Sequence, residues 1–163
     1  MKAHWQYLKY VLRHRWYVFW YCVEYRIIWR GMLHDWTKFL PVEWGPYVER
    51  FYGKGNSVAE AMQDLSYQYA WNHHQKKNDH HWQHWMLNRD DGSTLILPMS
   101  DNARKEMLCD WLGMGKMFRT DTLEWYESNK HTMTLNENTR EWIEGELARR
   151  ANFARIKAML GMG

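Results

Sequence analysis

Apolar and aromatic side chains crowd every side of residues 3–24, with Lys9, Arg13 and Arg15 as polar relief, so this stretch predicts a helix. A second helix is predicted over 26–38, carrying Ile27, Ile28, Met32 and Leu33 and stopping before Pro41. Gly45-Pro46 reads as a turn, with a short helix following to Tyr52. Gly53-Lys54-Gly55-Asn56 reads as a loop. Ser57 and Glu60 then have the spacing of a capping box, and the helix they open runs through Ala61, Leu65, Tyr69 and His73.

Two β-prone runs, Trp85-Met86-Leu87 and Thr94-Leu95-Ile96-Leu97, flank an Asp91-Gly92 turn, which predicts a small hairpin near residues 85–97. Ser100 or Asp101 caps the next helix, expected to end near Gly113 or Gly115. Gly113-Met114-Gly115-Lys116 lacks the spacing of a phosphate loop and reads as that helix's C-terminal cap. Further helices are expected over 121–130 and 137–159, the last with Trp142, Ile143, Leu147, Phe153 and Ile156 as its apolar positions. The expectation is a mostly α, single domain over 1–163, with about six helices and one hairpin.

Composition sharpens this picture in a few places. The 163 residues carry a formal net charge of +3, and no block of like charge suggests a nucleic-acid binder. No apolar run approaches a bilayer span and no signal peptide is visible, so a cytoplasmic protein without a membrane partner is expected. Cys22 and Cys109 are too few and too far apart for a disulfide framework, and read as reduced, part-buried thiols. The 12 tryptophans imply a core of large flat rings. The basic end of the last helix (Arg149, Arg150, Arg155, Lys157) reads as a solvated face or a self-association surface, leaving a homo-oligomer open.

The nine histidines are not scattered, since five lie between His73 and His84. His74 and His81 are seven apart and can share a helix face; His80 and His84 are four apart, a chelating spacing. Either set can complete a metal site or contact phosphate. His73, His84 and His131 read as surface residues. The most informative string is His34-Asp35-Trp36-Thr37-Lys38. An adjacent imidazole and carboxylate suit a divalent ion, provided that the ion sits between them or the helix ends there. Asp110 stands among Met107, Leu108, Trp111 and Leu112, where a carboxylate needs a partner and a cation suits it.

This string resembles the HD superfamily of helical, metal-dependent phosphohydrolases, one branch of which extends the doublet to His-Asp-x-x-Lys. The resemblance implies a metal held by His14 on the first helix, by His34 and Asp35, and by Asp110 on a late helix; His4 is the rival for the first position. With 14–18, 70–74, 78–83 and 109–111 added, the chain also looks like a small phage-associated group of HD-like proteins. The reaction implied by resemblance is hydrolysis of a phosphoester in a nucleotide or related small molecule, as in phage nucleotide metabolism or destruction of a nucleotide immune signal. The metal would be Mn, Co, Ni, Zn, Mg or Fe, and one or two ions. Asp35 would also orient the attacking water, while Lys38, His74, His80 and His81 would neutralise phosphate charge. Two other readings stand beside this one: an HD-fold di-iron oxygenase, and a non-catalytic protein that binds a nucleotide or host factor.

Overall fold

A computed structural model describes residues 1–53 and 64–161. Its α-helices are α1 (Lys2–Glu24), α2 (Ile28–Leu33), α3 (Pro41–Tyr52), α4 (Leu65–Lys77), α5 (Asp101–Phe118), α6 (Thr122–Asn129) and α7 (Glu137–Met159). Short 3-10 turns cover Trp36–Phe39, Trp82–Trp85 and Lys130–Thr132. Strands β1 (Met86–Asn88) and β2 (Thr94–Ile96) pair antiparallel, with Leu87 opposite Leu95, and Gly92 at φ 82° turns the hairpin. The mostly α expectation holds, with seven α-helices among the described residues. Ser57 and Glu60 lie outside them, so the expected capping box does too. Instead, Asp64 caps α4 by accepting from the Ser66 amide.

The molecule is organised around the antiparallel pair α1 and α5. Tyr7, Val11, His14, Val18 and Cys22 form the buried stripe of α1 at helical spacing. Cys22 and Cys109 are both fully buried free thiols in one cluster with Val18 and Ile27. A second cluster joins α1 to α3 and α4 through Tyr7, Val11, Tyr47, Val48 and Ala70. A third gathers Leu108, Leu112, Tyr126, Ile143 and Leu147, holding α6 and α7 against α5.

Four local expectations change. The second helix does not run over 26–38: it stops at Leu33, and Asp35 adopts a left-handed conformation at φ 55° before the 3-10 turn. Asp is one of the few residues that tolerates that conformation, and its burial among charged partners offsets the strain. Gly45-Pro46 is no turn, because α3 begins at Pro41 and continues through Pro46. Pro41 suits the first turn, and burial of Glu43, Tyr47 and Val48 on one face outweighs the hydrogen bond that Pro46 removes.

Gly113 and Gly115 do not cap α5, which runs on to Phe118 and closes on Arg119 at φ 60°. Gly113 instead lets α5 come close to α1. A Cβ there would stand 2.7 Å from Val18 Cγ2 and 3.1 Å from the Val18 backbone nitrogen. Gly113→Ala should therefore cost about 1–3 kcal/mol by overpacking, read as a lower denaturation midpoint. An unchanged midpoint would mean that α1 and α5 can part freely.

The fourth change concerns the tryptophans. The fully buried large side chains are Tyr7, Tyr126, Met107, Leu108, Ile143, four histidines, Glu43 and valines, with no indole among them. Trp5, Trp16, Trp20, Trp29 and Trp36 are more than half exposed. Trp44, Trp71, Trp82, Trp85, Trp111 and Trp142 are instead half-buried and pack against the edges of the core clusters, whose buried centres are tyrosines and aliphatic side chains. Phe153 and Ile156 of α7 are likewise exposed, while Ile143 and Leu147 are buried as expected.

Candidate metal centre

Ending α2 at Leu33 turns His34 and Asp35 inward together. On a continuous helix they would diverge by about 100°; here both are almost completely buried. His14 arrives from α1, Asp110 from α5 and His74 from α4, while His80 and His81 come from the loop after α4. All the sequence-predicted ligands thus meet at one place.

The contacts fall into two sets. In the first, His14 Nε2 lies 3.2 Å from His34 Nε2, 3.1 Å from Asp110 Oδ1 and 3.5 Å from Asp35 Oδ2. His34 Nε2 is also 3.5 Å from Asp35 Oδ2 and 3.8 Å from Asp110 Oδ1. In the second, Asp35 Oδ1 lies 3.2 Å from His74 Nε2 and 3.4 Å from His80 Nε2, and His81 completes a group whose ligand atoms all lie within 4.8 Å of one another. Donors bonded to one ion at about 2.1 Å stand about 3.0–3.4 Å apart, which is the spacing of the closest contacts here. Asp35 borders both sets: Oδ1 groups with His74, His80 and His81, while Oδ2, which also pairs with Lys38, stands 3.5 Å from His14 and His34 beside the group that these two close with Asp110.

The donor atoms fit a cation on a second count. Asp35 Oδ1 and the Nε2 atoms of His74, His80 and His81 are buried without a hydrogen-bond partner among the described residues. An orphaned buried polar atom costs about 1–3 kcal/mol, and a shared cation satisfies all four at once. These buried His and Asp groups can hold a metal ion.

Outside the ligands stands a layer that sequence reasoning misses. Glu106 Oε1 accepts from His34 Nδ1 at 2.8 Å and lies 3.2 Å from His80 Nδ1, while its other oxygen pairs with Arg30. Arg30 also pairs with Asp79. Glu43 Oε2 accepts from His74 Nδ1 at 2.8 Å. Thr37 Oγ1 donates to Glu43 at 3.1 Å and accepts from Asn78 Nδ2 at 2.8 Å. Each carboxylate holds the Nδ1 side of an imidazole and leaves Nε2 facing the cluster, as carboxylates behind metal-binding histidines do. A group of His34, His80 and Glu106 is also close enough to hold an ion. Since Arg30 already neutralises Glu106, its place is behind the histidines.

Electrostatics follow from this crowding. Burial opposes charge on Asp35, yet His34, Lys38 and His74 outweigh it and hold the carboxyl well below its usual range. Asp110 and Glu106 are lowered in the same way, against burial, by His14 and by His34 with His80 respectively. Burial also opposes charge on His80, but Asp35 and Glu106 prevail and raise it to about 10. At His81 burial, followed by its neighbours His80 and His74, outweighs the pull of Asp110 and Asp35 and pushes it well below the usual imidazole value. A nest of ionised carboxylates with at least one neutral imidazole is a strong attractor for a divalent ion.

Lys38 Nζ lies 2.6 Å from Asp35 Oδ2. Its side chain is 14% exposed and that of Asp110 17%, so the cluster reaches solvent along their edge. His73 is not the free surface residue expected, because it donates to Glu43 Oε1 at 2.7 Å. His84 and His131 are exposed as expected. His4 takes no part in the cluster and accepts from Trp44 Nε1 at 2.9 Å on the surface.

The model of one protein family, described as "Family of unknown function (DUF5662)", matches residues 3–149. The chain belongs to this family. The match runs from α1 into α7 and takes in every ligand named above. No curated protein and no solved structure matches the chain. No described helix is long and apolar enough to cross a membrane.

Proposed function

We propose that this DUF5662 chain is a metal-dependent phosphohydrolase acting on a nucleotide or a nucleotide-like phosphoester. The observation that carries the reading is the position of Asp35, whose two oxygens face different ligand sets. We assign one ion to His14, His34, Asp35 and Asp110, and a second to Asp35, His74, His80 and His81. Divalent ions supply a Lewis acid for the phosphoryl oxygens and an acidified water as nucleophile.

The chain's own residues do the rest. Asp35 orients the reacting groups between the two sets. Lys38, on the accessible edge, neutralises phosphate charge as it develops. His74, His80 and His81 would hold the second ion, which would supply the positive charge on that side of the phosphate. Glu106 and Glu43 keep the imidazoles turned inward, and the buried wall limits water to the edge near Asp110. In the net reaction, water adds across a P–O bond, releasing an alcohol and a phosphate.

The test is a panel of nucleoside monophosphates, triphosphates and cyclic dinucleotides with Mn, Co, Ni, Mg and Fe. Release of phosphate or of a linear product is expected with at least one metal, lost on chelation and restored by that metal. No turnover across the panel would overturn the reading. The nitrogen-rich second set also favours a di-iron oxygenase as the next reading, since imidazoles suit iron. Two irons per chain with an absorption change on adding O₂, and no hydrolysis, would select it.

A further inference from the structure

The exposed indoles are not spread evenly. Leu12, Trp16 and Trp20 recur along the outer stripe of α1, opposite its buried face, and Trp16 meets Trp20 edge to face at 5.6 Å. Gly31 seats α2 against Phe19 and Cys22, so the outer face of α2, with Trp29 at 75% exposure, adjoins that stripe. Apolar side chains concentrated this way on one face mark a contact surface.

Charge decides among the partners. Residues 1–34 contain six Lys and Arg against one acid, Glu24. Glu24 is already paired with Arg150 of α7. Arg30 is tied to Asp79 and Glu106, and Arg15 to the Met32 carbonyl. Lys2, Lys9 and Arg26, with Arg13, which also donates to the Met117 carbonyl at 3.0 Å, therefore stand on or just after α1 with no acidic partner among the described residues. A two-fold contact between copies would set these cations against themselves. An anionic surface suits them, and indoles beside cationic side chains are the composition of an interfacial helix.

We propose that the outer face of α1 and α2 docks peripherally on an anionic lipid bilayer, with Trp16, Trp20 and Trp29 in the headgroup layer and Lys2, Lys9, Arg13 and Arg26 on lipid phosphates. No described helix is asked to cross the bilayer. This departs from the expectation of no membrane partner, which rests on the lack of a spanning segment. It does not depend on the hydrolase reading, because its test needs no turnover.

The full chain is floated with vesicles of phosphatidylcholine alone and with vesicles containing a third phosphatidylserine, and tryptophan emission is followed. The expected result is capture by the serine-containing vesicles, with a blue shift, and release by salt. Lys9→Glu with Arg13→Glu should weaken capture at least tenfold, and Trp16→Ser, Trp20→Ser and Trp29→Ser together should remove the blue shift, circular dichroism being unchanged in both. Inorganic phosphate at millimolar concentration should not compete. The proposal is overturned by no capture, by capture indifferent to both variants, or by a dimer that the tryptophan variant dissociates. Preference for a single-stranded oligonucleotide over the vesicles, or competition by phosphate, would also overturn it.

Discussion

Asp35→Asn is expected to strip both ions from the chain and to abolish phosphoester hydrolysis, with the helices left in place. Asn keeps the shape of Asp and tolerates the left-handed backbone at φ 55°, so the corner after α2 should survive. What is lost is the negative charge shared by His14, His34, Lys38, His74 and His80. Removing a mere supporting group behind a metal ligand costs about 10–100-fold in affinity, and a ligand common to two ions should cost more. Metal analysis after dialysis and a calorimetric titration would measure this. Retention of two ions per chain by the variant would refute the shared-ligand geometry. Loss of one ion only would place Asp35 in a single set.

The second large effect is expected at Glu106. It touches no proposed ion, yet it holds His34, His80 and Arg30 together. Glu106→Gln offers one acceptor where three donors compete, so metal affinity should fall about 10–100-fold with the fold intact. Glu106→Ala also leaves the half-buried Arg30 guanidinium with Asp79 alone, which should lower stability as well. The two variants separate support of the metal from support of the fold. Urea denaturation in chelator reads the second, and titration with metal reads the first. Equal affinity in Glu106→Gln and wild type would show that the imidazoles need no carboxylate behind them.

The ligands were legible in the sequence because the chemistry of a divalent ion restricts them to few residue types. His34-Asp35 stands out as a doublet, and the His80-His81 pair as part of a cluster. Glu106 was legible too, although unread: it lies four residues before Asp110, so both carboxylates occupy one face of α5. Glu43, Thr37 and Asn78 leave no such trace, since their roles come from the meeting of α3 with α4. The break at His34 was hidden because Met32 and Leu33 continue a helical pattern, and only the burial of Asp35 stabilises its backbone. The tryptophans misled for a related reason. An indole suits a core by composition, and six of the twelve do pack against the core clusters, but the fully buried rings are tyrosines and histidines, and Trp5, Trp16, Trp20, Trp29 and Trp36 stay more than half exposed.

The positions of the ligands also bear on how the chain is held together. His14, the 34–35 corner, His74 and Asp110 sit on four segments widely separated along the sequence, while the two thiols remain free. A cation gripped by these segments would serve as a non-covalent staple, clamping the first helix to the fifth as a disulfide would elsewhere. Withdrawing it would leave packed imidazoles and carboxylates to hold the same knot unaided, so that loading with metal adds to the stability of the tertiary structure.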